Sequence, residues 1–131
     1  MKALDTNVVV RFLVNDDARQ GGRAKDLLVR AEKTGAPLLI IDPVLLELIW
    51  VLPAAYHFSR AEVLDALDLL TSMPALCFES YDRVVSLIAR GRASKTDLDD
   101  LLIGLCAEAM GCETTVTFEK SLPRSGLFER L

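Results

Sequence analysis

Apolar residues recur along the chain with two different periods, and the switches between them predict alternating strands and helices. Leu38-Leu39-Ile40-Ile41 is a continuous apolar run bounded by Pro37 and Asp42, the pattern of a strand buried on both faces at the centre of a sheet. Ala75-Leu76-Cys77-Phe78, after Pro74, reads as a weaker strand, and Thr114-Thr115-Val116-Thr117 as a short β-branched one. Met1 to Asn7 reads as a short strand that delivers the Asp5 carboxylate at its C-terminal end, and Leu127-Phe128 can add a last short strand.

Between these runs the spacing is helical. Val8 to Val14 holds no Gly or Pro and stops at Asn15-Asp16-Asp17, which predicts a short helix. A second helix starts at Asp16 or Asp17 and runs to about Lys33, with Ala24, Leu27, Leu28 and Ala31 on one face and Gly35 as its stop. Asp42 and Pro43 read as cap and first residue of a helix through Val44 to Leu52, which Pro53 ends or kinks. Ser59 and Glu62 form a capping-box pattern before the next helix, and His57 just ahead of it reads as a loop or packing residue without an oriented catalytic partner. The helix from about Tyr81 to Arg90 turns Val84, Val85, Leu87 and Ile88 inward and leads to a basic loop, Gly91 to Lys95. Thr96 and Asp99 resemble a capping box for the last helix, in which Gly104 and Ala107 are small enough for a close approach to a sheet.

Strands alternating with helices imply an α/β chain with a parallel sheet covered on both faces. In such folds ligands bind at the carboxyl ends of strands, where the chain turns and leaves a crevice. Asp5 and Glu119 fall at strand ends, while Glu47 and Asp100 lie early in helices. Asp5 also suits the role of a helix cap, and acids such as Asp97 and Asp99 are favoured in a first helical turn by the macrodipole. Asp100 shares a face with Asp97, three residues before it. Glu47 is the lone charge in an apolar helix, and burial of an unpaired carboxylate there would cost several kcal/mol, roughly, so either a cation compensates it, or it reaches solvent from one exposed stripe or pairs with an Arg. Carboxylates about 5 Å apart repel by roughly 3 kcal/mol per pair at an effective dielectric of 20, and a hard divalent cation relieves that repulsion. Oxygen ligands without a His or Cys set point to Mg²⁺ or Mn²⁺ rather than Zn²⁺.

Composition narrows the classes further. With 131 residues, 51% of them hydrophobic, the chain is expected to form a single domain, 1–131, with a real core. A net charge of -4 argues against nucleic-acid binding by bulk charge, so any basic surface is local. Three cysteines with no CxxC pair suit a reducing compartment, and no stretch has the pattern of a signal peptide or membrane span; a soluble, cytoplasmic protein without a membrane partner is expected.

Taken in order, Leu4-Asp5-Thr6-Asn7-Val8, Glu47 within its apolar helix, Asp100 within Thr96 to Ile103, and Thr115-Val116-Thr117-Phe118-Glu119 resemble the PIN-domain nucleases, and among them toxin ribonucleases of the VapC kind. The resemblance covers nearly the whole chain. It implies a PIN-like three-layer α/β/α sandwich around a central, mostly parallel sheet of four to five strands. It also implies a Mg²⁺- or Mn²⁺-dependent endoribonuclease with Asp5, Glu47, Asp100 and Glu119 as catalytic metal ligands. Asn7, Thr117 and Asp97 would be supporting polar residues. Arg11, Arg19, Arg23, Arg92 and Lys95 are the basic residues available to hold RNA. The partners implied are an RNA substrate, a cognate antitoxin and a second copy in a homodimer. Glu119 departs from the family pattern, in which Asp is common at this place, and favours an alternative: a non-catalytic module that binds a metal or a basic peptide.

Overall fold

The computed structural model describes all 131 residues and contains six α-helices and four short strands in two compact units, Met1–Tyr81 and Asp82–Leu131. In the first unit α1 (Thr6–Val14) and α2 (Ala18–Thr34) precede β1 (Leu38–Ile40), and α3 (Asp42–Tyr56) and α4 (Arg60–Thr71) precede β2 (Leu76–Phe78). The second unit holds α5 (Tyr81–Ala93) from its second residue on, α6 (Leu98–Ala109), β3 (Thr115–Thr117), one 3-10 turn (Leu122–Ser125) and β4 (Phe128–Arg130). The α/β alternation agrees with the sequence pattern. The expected single sheet of four to five strands does not: β1 pairs with β2 and β3 with β4, each pair parallel.

The predicted first strand is reduced to one bridge, Ala3 to Leu39, with Leu4 N–H donating to the Leu39 carbonyl and Leu39 N–H to the Lys2 carbonyl, both at 2.9 Å. Leu4 is the only buried side chain before Thr6, too little apolar surface to hold a longer ladder. This bridge still makes β1 central in its unit, as expected for an apolar run, with Ile40 fully buried.

The helix boundaries follow local chemistry. Asn15 and Gly35 take the left-handed conformation that ends α1 and α2, at φ 58° and 65°. Asp17 accepts from Gln20 N–H and caps α2, and both bonds of the Ser59–Glu62 capping box are made. Two expected caps differ. Ile41, not Asp42, is the N-cap of α3; it has no side-chain bond to give, and the Asp42 N–H donates instead to Glu79 Oε1 at 2.8 Å, just beyond β2. Asp97 is the N-cap of α6, and the Thr96–Asp99 box is not made. Pro53 lies inside α3, which runs on to Tyr56; its exposed ring forfeits one helical bond, while its carbonyl accepts from the left-handed cap residue His57 at 3.1 Å. Val85, expected inside, is 42% exposed.

Gly104 sits where α6 meets the segment entering β4. A Cβ there would lie 2.9 Å from Leu127 Cβ and 3.0 Å from Phe128 Cε2. Gly104→Ala is expected to destabilise the protein by about 1–2 kcal/mol: Leu127 Cβ is fixed to the backbone and cannot swing away, so the overpacking cost falls at about 2–3 kcal/mol, offset by about 1 kcal/mol of helix propensity. A urea-unfolding midpoint equal to or above that of the wild type would refute this.

Candidate functional site

In the second unit the start of α6 gathers three acids. Carboxylate oxygens of Asp97, Asp99 and Asp100 all lie within 4.8 Å of one another. The chain reaches this arrangement because Asp97 is the N-cap and makes no side-chain capping bond, leaving its carboxylate free to face the first helical turn. Its carbonyl begins the helix by accepting from Leu101 N–H at 3.0 Å. The Asp99 carboxylate accepts from Asp100 N–H at 2.9 Å. Burial raises the Asp100 carboxyl above its ordinary pKa, and the negative charges of Asp99, Asp97 and Glu119 add to this in that order. The sequence pattern identified Asp97 and Asp100 as sharing a face but assigned Asp99 to capping; its place in the cluster is the correction.

Glu119, in the same unit, follows β3 and is exposed. Its own carboxylate is tied locally, Oε1 accepting from Ser121 Oγ at 3.1 Å and from Ser121 N–H at 3.4 Å. Thr117 Oγ1 accepts from Glu119 N–H at 3.0 Å, so Thr117 supports Glu119 by fixing its backbone. Arg92 and Lys95 are exposed near the end of α5 and beyond it.

In the first unit Asp5 is exposed at the N-terminus of α1, where its Oδ1 accepts from Thr6 N–H at 2.9 Å. Capping and availability for a ligand are therefore compatible, since one carboxylate oxygen serves the helix. Thr6, next to it, is only 4% exposed, and its side-chain hydroxyl has no hydrogen-bond partner. Glu47 is exposed, which selects the solvent-reaching stripe over a buried carboxylate: α3 buries Val44, Leu45, Leu48, Ile49 and Leu52 and leaves Pro43, Glu47 and Trp50 on its outer stripe. The carboxylate thus needs no neutralising partner for the fold to be stable.

A groove of about 550 Å³ opens between α1 and α2. Asn7, Arg11, Arg23 and Arg30 line it together with Val8, Ala24 and Leu27. Arg11 is fixed there by donating to Gln20 Oε1 at 2.6 Å, to Asp16 Oδ1 at 3.1 Å and to the Tyr56 hydroxyl at 3.0 Å. The Tyr56 bond is the main reason its guanidinium is held above its ordinary pKa, with burial opposing and Asp16 reinforcing. Arg19 is exposed but does not line the groove, whereas Arg30 does.

The PIN domain family model matches residues 2–126, spanning both units, and the chain belongs to the PIN domain family. Members of this family are typically metal-dependent nucleases, and the acidic cluster of α6 is consistent with metal binding. No curated protein and no solved structure matches the chain. No helix is long and apolar enough to cross a membrane.

Proposed function

We propose that the chain is a single-domain, cytoplasmic Mg²⁺- or Mn²⁺-dependent endoribonuclease, the toxin of a type II toxin–antitoxin pair. Membership of the PIN family supports the nuclease class, and the observation that carries the metal is the meeting of Asp97, Asp99 and Asp100 oxygens within 4.8 Å. Hard oxygen donors that repel one another fit a hard divalent cation. Asp5, Glu47, Asp100 and Glu119 are the proposed ligands, with Asp97 and Asp99 available to help. Bound there, a divalent ion supplies Lewis acidity toward a phosphodiester and makes water a better nucleophile at neutral pH.

The protein's own groups supply placement. The Thr6 N–H orients the Asp5 carboxylate, the Asp99 carboxylate takes the backbone N–H of Asp100, and Thr117 and Ser121 hold Glu119 in place. The cations of the first unit provide a local positive surface in a chain of net charge -4. A homodimer and an antitoxin that covers the acidic site are proposed on the VapC resemblance alone.

The test is cleavage of a mixed structured and single-stranded RNA pool in EDTA, Mg²⁺ or Mn²⁺, with Asp5→Asn beside the wild type. Asn caps helices about as well as Asp, so this variant removes charge while keeping α1 intact. Products only with metal, and none from Asp5→Asn, are expected. RNA left intact under every condition, while metal still raises the melting temperature, would move the protein to the non-catalytic alternative. The Ser121-tied Glu119 is the feature that favours that alternative.

A further inference from the structure

The α1/α2 groove has the chemistry of a strand-holding subsite. It belongs wholly to the first unit, and of the cations on α2 it selects only two. Arg23 and Arg30 line it seven residues apart, roughly 10 Å along the helix and on one face, while Arg19 and Lys25 do not. Both are exposed, and the ion pair in this region joins Arg11 to Asp16, so neither is neutralised within the fold, even with Asp26 on the same lining. Arg11 plays a different part. Its bonds to Asp16, Gln20 and Tyr56 use Nε and Nη1, so it is a fixed wall joining α1 to the start of α2 and the end of α3. Val8, Ala24 and Leu27 give the groove a small apolar floor, and Asn7, two residues from Asp5 in the chain, also lines it.

We propose that this groove holds the sugar–phosphate backbone of single-stranded RNA, with Arg23 and Arg30 donating to phosphates and Asn7 leading the strand toward Asp5. This rests on the ribonuclease reading. Guanidinium is suited to phosphate because its planar fork gives two parallel charge-assisted bonds. The small floor offers little for the i, i+3, i+4, i+7 anchors of a docked peptide helix, whereas a flexible polyanion needs only the charges and a channel. An RNA strand also continues naturally to a carboxylate that the proposed metal converts from repulsive to attractive; an acidic peptide would use the arginines alone.

Binding is separated from cleavage by working in EDTA. The probe is a fluorescein-labelled, unstructured RNA 12-mer, read by anisotropy against salt, with wild type, the double variant Arg23→Gln/Arg30→Gln, and Lys33→Gln as an exposed α2 control outside the groove. The double variant is expected to weaken binding by about tenfold or more and to lower the salt slope by about 1.4, near 0.7 for each phosphate no longer neutralised. Lys33→Gln should match the wild type. Equal affinity and slope in the double variant, or an equal loss in Lys33→Gln, overturns the proposal. So does an acidic peptide, a fluorescein-labelled Asp/Glu 12-mer, that binds more tightly than RNA and loses that binding in the double variant. Arginine-dependent RNA binding without metal-dependent cleavage would leave the groove standing and reject the ribonuclease; cleavage unchanged by the double variant at subsaturating RNA would do the reverse.

Discussion

Asp100→Asn is expected to make the metal-free protein more stable and the protein with metal less active, by more than about a hundredfold in cleavage rate. The first effect follows from charge. Oxygens of Asp97, Asp99 and Asp100 lie within 4.8 Å of one another, a separation at which two unit charges repel by about 1 kcal/mol in water-like surroundings and about 3 kcal/mol at an effective dielectric of 20. Asp100 carries a further cost, because burial raises its carboxyl pKa and the charges of Asp99, Asp97 and Glu119 add to it. A raised carboxyl pKa means that the folded state holds the ionised form less well than the unfolded chain does. The penalty is therefore present above the folded pKa and disappears as the pH falls below the unfolded one. An amide of the same shape removes it, and a rise of a few degrees in the EDTA melting temperature is expected.

The second effect follows from the same geometry with the sign reversed by a cation. Loss of residues that merely support a metal ligand commonly costs roughly 10–100-fold, and loss of a ligand itself should cost more. At a metal concentration near a hundred times Kd, binding to the folded state adds about 2.7 kcal/mol, and this gain should vanish in Asp100→Asn. Thermal melting in EDTA and in Mn²⁺ reads both signs in one experiment. If the variant melts lower than wild type without metal, or keeps the full metal-induced rise, Asp100 is not a strained ligand.

How much of this was legible in the residue pattern depended on distance along the chain. Local devices were plain: Asp17 and Gly35 bounding α2, the Ser59–Glu62 box, and the small Gly104 against Leu127 all depend on short-range chemistry or volume. The acids at strand ends were also visible, because a carboxylate after an apolar run is a local signal. Long-range pairs were not. The Asp42 N–H meets Glu79 across 37 residues and Arg11 meets Tyr56 across 45, and neither partner carries a pattern that announces the other.

Glu47 is instructive because α3 is apolar on nearly every face. Its buried residues, Val44, Leu45, Leu48, Ile49 and Leu52, already trace a helical stripe that leaves position 47 outside, but the apolar Trp50, 54% exposed, hides that stripe from a count of hydrophobic residues. The sheet was overestimated for a related reason. Each strand is only three residues long, and a β-branched or apolar run shows that a segment can pair without showing which segment it pairs with. The basic residues needed the fold as well. Arg19, Arg23, Lys25 and Arg30 share one helix, and only the packing of α1 against α2 decides which of them face a groove.

Glu119→Asp is expected to raise the metal-dependent cleavage rate, by up to about a hundredfold if placement of this carboxylate limits the reaction. A misplacement near 1 Å can cost roughly that much, and Glu carries one methylene more than the Asp common in proteins of the kind this chain resembles. The surroundings sharpen the expectation. Thr117 anchors the Glu119 backbone, so an added methylene must be absorbed by the side chain, and its Oε1 is drawn back to Ser121 at 3.1 Å. Shortening the arm should loosen that tie and leave the carboxylate closer to its backbone anchor. Ser121→Ala releases the tie without changing the arm, and is expected to give a smaller gain than Glu119→Asp. Single-turnover cleavage with saturating Mg²⁺ measures both variants, with melting temperature as the check on folding. A rate that falls in Glu119→Asp and falls again in Ser121→Ala would mean that the longer side chain is already correctly placed and that Ser121 is what places it.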